Sequence, residues 1–168
     1  MTFAVPNRLT KFRVATFSTK EPETLRWIES FPDASIIWDI GANVGVYSIY
    51  AAAREHQVLA FEPSVFNLEF LVRNISLNSV GDKVTVLPFP LSDHSKVSWM
   101  HVGTSSWGGS MSSFEKEFGW DGKPLPHIEL SYATLSFTID QVVKELKLPK
   151  PDFMKLDVDG IEQFVLAG

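Results

Sequence analysis

Residues 35 to 47 read S-I-I-W-D-I-G-A-N-V-G-V-Y, and this stretch decides the fold. Ser35 to Ile40 has the continuous apolar character of a buried strand, and apolar residues at one-face spacing predict a helix over Val44 to Arg54. Asp39 and the glycines at positions 41 and 45 stand where the strand passes into the helix. A buried acid and conformationally free glycines cost stability, so this junction indicates a ligand site or a tight turn.

The same alternation of strand and helix continues after this junction. A second strand is predicted at Gln57 to Phe61, a helix at Val65 to Asn78, and a third strand at Lys83 to Leu91. Upstream, an irregular start leads to a short helix that begins at Pro22 and ends before Pro32. This order is typical of a doubly wound α/β fold with a mainly parallel sheet.

Beyond Ser92 the pattern changes to short alternating strands and glycine-rich loops. K-V-S-W-M-H-V at 96–102 alternates like one strand of an antiparallel hairpin, and Ile128 to Thr138 alternates again. Between them, Gly103 to Pro126 is dense in glycine and serine. We expect a β-hairpin insertion whose long loop is a mobile lid over an acceptor pocket and does not pack like core.

A final strand is predicted in P-D-F-M-K-L-D-V-D-G at 151–160, after a short helix at Asp140 to Leu146. It would be the fourth strand of the parallel sheet and would leave an apolar edge, which proteins usually cover or pair. We therefore interpret residues 1–168 as a single domain that is truncated at its C-terminus. The exposed sheet edge makes an oligomer possible.

Composition narrows the function classes. The chain is 45% hydrophobic and 12% aromatic, enough for a real core, and 15 basic against 20 acidic residues give a net charge of -5. Without a basic cluster, nucleic acid is not the expected partner. With no cysteine, thiolate metal sites and a cysteine nucleophile are excluded. No membrane span or signal core is present in the sequence, which favours a cytoplasmic protein.

The glycine junction predicts a site for an adenosine-containing cofactor. In this fold class the turn amides face the crevice at the carboxyl ends of the strands, and Gly41 and Gly45 let a ligand come close. Glu62, at the end of the second strand, is placed to accept both hydroxyls of a ribose. D-I-G-A-N-V-G lacks the middle glycine of the dinucleotide fingerprint, which favours S-adenosylmethionine over NAD, with its amino-acid end near Asp39.

Several stretches together resemble the FkbM family of S-adenosylmethionine-dependent methyltransferases. They are E-T-L-R-W-I-E-S-F-P, W-D-I-G-A-N-V-G-V-Y-S-I-Y-A-A, F-E-P, N-I-S-L-N and M-K-L-D-V-D-G-I-E-Q-F-V-L-A-G, within residues 21–168. The resemblance implies a class I, Rossmann-like methyltransferase fold with sheet order 3-2-1-4 and further C-terminal strands. It also implies methyl transfer to a hydroxyl of a small molecule, sugar or polyketide.

The resemblance assigns cofactor-binding residues as well. It implies that Asp39, Gly41, Asn43 and Gly45 form the cofactor turn, that Glu62 holds the ribose, and that Ser92 and Asp93 lie near the adenine. One departure concerns the closing block, where Asp159 stands in place of the glutamate that is usual in the family.

Catalysis is expected at the carboxyl end of the fourth strand. A hydroxyl acceptor reacts faster when a base takes its proton, and Asp157 is placed for this role, with Lys155 and Asp159 on the same face by the period of two. An alternative is that these charged residues form only a structural ion-pair cluster. A second is that Asp157, Asp159 and Glu162 ligate a divalent cation.

Other features and functions stay open at this point. His94 and His127 are weaker candidates for a base, and Trp99, Trp107 and Trp120 are candidates for an acceptor wall or for packing under the hairpin. The rival functions are a nicotinamide-dependent oxidoreductase and a cofactor-binding fragment without a complete acceptor site.

Overall fold

The helices of the chain lie mainly on the two faces of one parallel sheet. The computed structural model describes residues 1–119 and 121–168, and Trp120, which we had considered as an acceptor wall, lies outside the described residues. The helices are α1 (Arg8–Lys20), α2 (Pro22–Glu29), α3 (Val46–Ala52), α4 (Val65–Leu77), α5 (Ile139–Lys144) and α6 (Glu162–Ala167).

The strands form two sheets. They are β1 (Ile36–Ile40), β2 (Gln57–Phe61), β3 (Val84–Leu87), β4 (Val97–Val102), β5 (Ser113–Phe114), β6 (Leu130–Leu135) and β7 (Phe153–Leu156). The first sheet has the order β3-β2-β1-β7 with parallel neighbours, and the second has the order β5-β4-β6 with antiparallel neighbours. This confirms the Rossmann-like, mainly parallel fold with a β-hairpin insertion, and β7 is the fourth strand of the order 3-2-1-4.

Side chains of the central strand β1 alternate between two cores. Trp38 and Ile40 pack on one face of the sheet with Val142 of α5. Ile37 packs on the opposite face with buried residues of α2, α3 and α4. Each fully buried large side chain contributes about 1.5–3 kcal/mol to folding. Asp39 shares the Ile37 face and is 2% exposed, so an acid lies inside this second core layer.

The expectation of an irregular start is wrong, because α1 occupies residues 8–20. Asn7 caps this helix, and its side-chain oxygen accepts a hydrogen bond of 2.9 Å from the Thr10 amide. Thr10 is the buried residue of α1, so the helix has no apolar stripe from which periodicity could predict it. The residues that indicate this helix are the capping pair rather than its hydrophobic pattern.

The third strand is shorter than the sequence predicts. It ends at Leu87, whereas the apolar run predicts a strand to Leu91. Pro88 and Pro90 follow Leu87 and have no amide to donate to a neighbouring strand, so the ladder cannot continue. The chain then leaves the sheet, and Leu91 forms an isolated parallel bridge with Phe137.

The antiparallel sheet packs over the carboxyl ends of the parallel strands. Met100, Val102 and Phe114 form a buried cluster with Ile161, which caps α6. Phe114 is 3% exposed, so the expectation that residues 103–126 do not pack like core is wrong at β5. Among the residues that the structure describes, no helix has the length and apolar character needed to cross a bilayer.

Candidate functional site

The turn between β1 and α3 brings backbone into places where a side chain would not fit. Gly41 has a φ of +83°, and a Cβ there would lie 2.0 Å from the carbonyl oxygen of Asp157. Gly45 has a φ of +85°, and its Cβ would lie 2.5 Å from Leu71 Cδ1. Close packing and left-handed backbone therefore explain both glycines. Of the two, Gly41 lines the crevice and Gly45 does not.

Glu62 follows β2 and joins two turns through its carboxylate. Its Oε2 accepts the Asn43 amide at 2.7 Å, and its Oε1 accepts the Ser64 amide at 2.8 Å. Burial raises the pKa of Glu62 to about 7, although the hydrogen bonds from Ser64 and Asn43 act in the opposite direction. Each carboxylate oxygen has a second lone pair, so Glu62 retains acceptor capacity beyond the turn.

A crevice opens at the carboxyl ends of the strands, in front of Glu62. Its space between atoms is about 590 Å³, including the open mouth. Apolar walls and a few polar groups form the lining. These residues include Ile40, Gly41, Asn43, Phe61, Glu62, Pro63, Asn67, Phe89, Pro90, Leu91, Met100, Gly109, Ser110, Ser112, Phe114, Asp157, Val158, Asp159 and Ile161.

The loop between β4 and β5 covers part of this crevice and is fixed by two asparagines. The Gly109 carbonyl accepts hydrogen bonds from Asn43 Nδ2 at 2.8 Å and from Asn67 Nδ2 at 3.1 Å. The Gly108 amide donates to Asn67 Oδ1 at 2.9 Å. Asn43 therefore holds the loop through its side chain, while its backbone amide binds Glu62.

Two charged residues hold the same loop from either side. Arg13 of α1 donates from Nε to the Gly108 carbonyl at 2.6 Å. Asp159, after β7, accepts the Met111 amide at 2.8 Å. Residues 108–111 thus link α1, the β1–α3 turn, α4 and the end of β7. The mobility that we predict for the wider lid stays a prediction.

Lys155 lies between two acids beneath the glycine turn. Its Nζ is 3.4 Å from Asp39 Oδ1 and 3.5 Å from Asp157 Oδ2, and 5.1 Å from the Tyr47 ring centroid. Burial alone would lower the pKa of Lys155, but the charges of Asp39 and Asp157 outweigh burial and raise it. The Ser48 hydroxyl donates to Asp39 Oδ2 at 2.6 Å. The structure thus brings Lys155 and Asp157 together, and Asp39 faces this cluster rather than the crevice.

Asp157 and Asp159 occupy different environments after β7. The Asp157 side chain is 62% exposed and stands at the mouth of the crevice. Asp159 has a φ of 56°, so it lies in a turn, and the period-two argument does not extend to it. Burial raises the pKa of Asp159, and the hydrogen bond from the Met111 amide opposes this rise. Asp157 is thus the accessible carboxylate, whereas Asp159 holds the loop.

The predicted adenine residues lie just beyond the crevice lining, which reaches Leu91. Ser92 is 5% exposed, and its hydroxyl donates to Asp93 Oδ1 at 3.2 Å. Asp93 also contacts the His94 ring. Their role toward an adenine stays a prediction, and Phe89 and Pro90 form the wall nearest to them.

The remaining candidates lie away from the crevice. Within the described residues 1–119 and 121–168, no three His, Cys, Asp or Glu side chains form a group that could hold a metal ion. Glu162 instead accepts the amides of Val158 and Gly160, at 3.1 and 3.2 Å. His127 lines a separate cavity on the other side of the loop.

The described tryptophans do not line the crevice. Trp107 packs against Phe70 with ring centroids 4.9 Å apart, and Trp99 is 56% exposed on β4. The packing alternative therefore fits Trp107.

Sequence reasoning missed three residues that organise the site. They are Arg13, Asn67 and Tyr132, whose hydroxyl donates to the Pro63 carbonyl at 2.6 Å. Asn67 lies on the buried face of α4 with Leu71, and a polar residue on an apolar stripe is a usable sequence indication. Arg13 and Tyr132 carry no such indication.

Comparison with known proteins agrees with this geometry. The model of the methyltransferase FkbM domain matches residues 39–168. The chain is 28% identical over 141 residues to hexuronic acid methyltransferase AglP of Haloferax volcanii, which covers 84% of this chain and 52% of that protein. It is 37% identical over 162 residues to methyltransferase sdnD of Sordaria araneosa, which covers 84% of this chain and 62% of that protein.

A solved structure has the same fold. Methyltransferase FkbM from Methylobacillus flagellatus KT superposes with a TM-score of 0.52 at 17% identity, over 82% of this chain and 29% of that one. The chain thus spans 52% and 62% of the two curated relatives and a smaller share of the solved structure.

Proposed function

Since this chain belongs to the methyltransferase FkbM family, we propose that its crevice binds S-adenosylmethionine and that the whole protein methylates a hydroxyl group of a small molecule. The observation that carries the proposal is the buried Glu62 carboxylate in front of a glycine turn, at the carboxyl ends of parallel strands. Crevices at this edge are where α/β sheets of this type bind ligands.

The residues of the crevice fit the adenosine part of this cofactor. Glu62 has acceptor capacity for a ribose diol, because only one amide binds each of its oxygens. Phe89, Pro90 and Leu91 offer an apolar wall of the kind that an adenine ring needs. Gly41 and Asp157 line the crevice side by side, and we place the amino-acid end there.

The same geometry argues against the nicotinamide alternative. A pyrophosphate is usually bound by free amides of the glycine turn and the helix that follows. Here the Asn43 amide is bound by Glu62, and a carboxylate at that place repels phosphate. Ala42 and Asn43 stand where the dinucleotide fingerprint has its middle glycine, and Ala42 is 4% exposed.

We propose that Asp157 is the base. When bound, S-adenosylmethionine supplies a methyl group on a positively charged sulfur. This methyl group would pass to the acceptor oxygen while the electron pair of the carbon–sulfur bond stays with sulfur, and the Asp157 carboxylate would take the hydroxyl proton. Asp157 is accessible at the mouth of the crevice, and Lys155 holds it there as an ion-pair partner.

The name of one relative supports an acceptor with hydroxyl groups. The Haloferax volcanii protein is named for a hexuronic acid, which is a sugar that carries hydroxyl groups. The Sordaria araneosa protein is named only as a methyltransferase.

Calorimetric titration with S-adenosylmethionine, S-adenosylhomocysteine and NAD tests the proposal most directly. We expect both sulfur ligands to bind and NAD to bind about tenfold more weakly, since a buried polar group left unpaired costs about 1–3 kcal/mol and about 1.4 kcal/mol is a factor of ten. Binding of NAD alone would refute the methyltransferase proposal. Binding of S-adenosylmethionine without any methyl transfer would support the alternative of a cofactor-binding fragment.

A further inference from the structure

A second cavity lies beside the cofactor crevice, between α1 and the first residues of α3. Its space between atoms is about 740 Å³, including its open mouth. Apolar side chains of α1 and α3, among them Phe12, Phe17 and Val46, form much of its wall. We call it the α1 cavity.

The α1 cavity meets the cofactor crevice at two residues. Asp157 and Ser110 line both spaces, and Gly108 of the same loop closes the α1 cavity. A molecule in the α1 cavity therefore reaches the carboxylate to which the proposed reaction gives the acceptor proton. This is the place where an acceptor hydroxyl and a bound cofactor come together.

Among the described charged residues that line the α1 cavity, Arg13 is the cation without a close ion pair, although its charge acts to lower the pKa of Glu62 and of Asp159. Lys20 pairs with Glu21 at 3.0 Å, and Glu21 also accepts the Tyr47 hydroxyl at 3.0 Å. Asp157 pairs with Lys155. Arg13 forms no ion pair within the described residues 1–119 and 121–168.

The guanidinium of Arg13 is also oriented. Its Nε donates to the Gly108 carbonyl at 2.6 Å, so the loop fixes that edge of the plane. Among the hydrogen bonds of the described residues, its two terminal nitrogens make none, and they are the pair that binds an oxyanion in bidentate fashion. A guanidinium placed in this way selects carboxylate or phosphate rather than a neutral hydroxyl.

We propose that the α1 cavity holds the methyl acceptor, and that this acceptor carries an oxyanion group, carboxylate or phosphate, bound by Arg13 while its hydroxyl meets Asp157. The proposal rests on the proposed function, which it makes more specific. The apolar walls enclose the carbon skeleton, and Arg13 and Asp157 recognise its two polar ends.

Three probes that differ only at carbon 6 test this recognition. Glucose is neutral there, glucuronate carries a carboxylate, and glucose 6-phosphate carries a phosphate. Each is titrated into the protein saturated with S-adenosylhomocysteine, and binding is followed by the amide NMR shifts of Arg13, Val46 and Tyr47. We expect at least one charged probe to bind about tenfold or more tightly than glucose, because one charge-assisted pair is worth that much.

Variants of two arginines on α1 provide the matched control. In Arg13→Gln the preference for the charged probe should fall to about twofold or less, and Arg13→Lys should retain part of it, since lysine keeps the charge without the fork. Arg8→Gln, an exposed residue on the same helix outside the cavity, should keep the full preference. Arg13→Lys keeps the test valid if Arg13→Gln does not fold.

The outcomes separate this inference from the proposed function. S-adenosylhomocysteine binding is measured first, and its failure counts against the proposed function. If S-adenosylhomocysteine binds but all three probes bind equally or not at all, the proposal that the α1 cavity holds an anionic acceptor is overturned. An unchanged preference in Arg13→Gln overturns the role of Arg13. Which charged probe binds more tightly distinguishes a carboxylate from a phosphate acceptor.

Discussion

The floor and the roof of the site are built in opposite ways. The floor, at the β1–α3 turn and Glu62, is buried and held by backbone amides that bind a carboxylate. The roof, the β4–β5 loop with α1, is held by single side chains such as Arg13 and Asn67, which reach across from other elements. The floor therefore depends on local geometry, and the roof depends on long-range contacts between distant parts of the chain.

This difference separates what is shared with many proteins from what is particular to this one. In the proposed function, a floor made of a strand, a glycine turn and an acid can serve any acceptor, because it would contact only the cofactor. Arg13 and Asp157 line the α1 cavity, whereas the β1–α3 turn and Glu62 do not line it. Specificity for the acceptor is therefore expected in the roof, and loss of fold or cofactor in the floor.

The largest effect is expected where floor and roof meet, at Asp157. Asp157→Asn keeps the shape but removes the proton acceptor, so kcat of the full-length protein should fall about 10²- to 10⁴-fold. Calorimetry should show S-adenosylmethionine affinity changed by less than about threefold, because the base acts on the acceptor. Asp140→Asn, an exposed pair with Lys144, is the control. Equal losses of turnover and affinity would make Asp157 a structural member of the Lys155 cluster.

The next effect concerns the fold of the floor. Gly41→Ala places a Cβ 2.0 Å from the Asp157 carbonyl oxygen at a φ of +83°. We expect a loss of about 3 kcal/mol or more in the free energy of unfolding, since strain of 1–3 kcal/mol adds to the clash. Gly122→Ala is the control, with a φ of +70° and no atom within 4 Å of the added Cβ. Urea denaturation should show the two variants far apart, and equal losses would refute the clash.

The sequence predicts the floor well because its determinants are local. Asp39 through Gly45 and Glu62 are set by a strand, a turn and a second strand that are adjacent along the chain, and these elements form as expected. What it did not predict is that Gly45 serves packing against Leu71, because the contact spans two helices. A glycine at a ligand turn and a glycine at a packed turn look alike in one sequence.

The roof was predicted less well for a physical reason. Arg13 and Asn67 act through hydrogen bonds to Gly108, which lies 95 and 41 residues away along the chain. Hydrophobic periodicity carries no information on such contacts. The helix α1 is almost without buried residues, so it has no apolar stripe to detect. The third strand ends at Leu87 because Pro88 has no amide to donate.

The charge of Glu62 gives a pH dependence of stability. Burial raises its pKa to about 7, above the ordinary 4.5, so the unfolded chain ionises first as pH rises. Stability from this group is therefore present below pH 4.5 and lost between 4.5 and about 7, by up to about 1.4 kcal/mol per pH unit. Glu62→Gln removes this term, so its stability relative to the unchanged protein should rise from pH 5 to 7. Urea denaturation at several pH values measures the difference.

The difference in stability between Glu62→Gln and the unchanged protein leaves out the contributions of other titrating groups, because these groups occur in both proteins. Burial lowers the pKa of His56 below its ordinary 6.5, so the stability from this group falls as pH falls, which is the opposite sign to Glu62. A stability difference that stays constant with pH would mean that Glu62 is ionised in the folded protein throughout this range.

A smaller effect separates cofactor binding from the acceptor. Glu62→Ala removes the proposed ribose contact and should weaken S-adenosylmethionine binding by roughly 1.5 to 3 kcal/mol, as for a charge-assisted hydrogen bond. Glu69→Ala, an exposed residue of α4 paired with Arg73, should bind normally. The measurement is calorimetry, with circular dichroism to check the fold. Unchanged affinity in Glu62→Ala would sink the ribose assignment.

The smallest effect concerns a contact between the floor and β6, the strand that pairs with β4 beneath the roof loop. The Tyr132 hydroxyl of β6 donates to the Pro63 carbonyl at 2.6 Å and accepts the Val65 amide at 3.2 Å, next to Glu62 along the chain. Tyr132→Phe removes both bonds and keeps the ring, so unfolding should cost about 1 kcal/mol less.

If the roof is attached mainly here, this variant should also speed amide exchange at 108–111 while β1 and β2 keep their protection. Tyr50→Phe removes a part-buried hydroxyl bond to Glu29, away from the β4–β5 loop, and serves as the control. Uniformly faster exchange in both sheets would show that floor and roof unfold together, which would break the comparison between a local floor and a long-range roof.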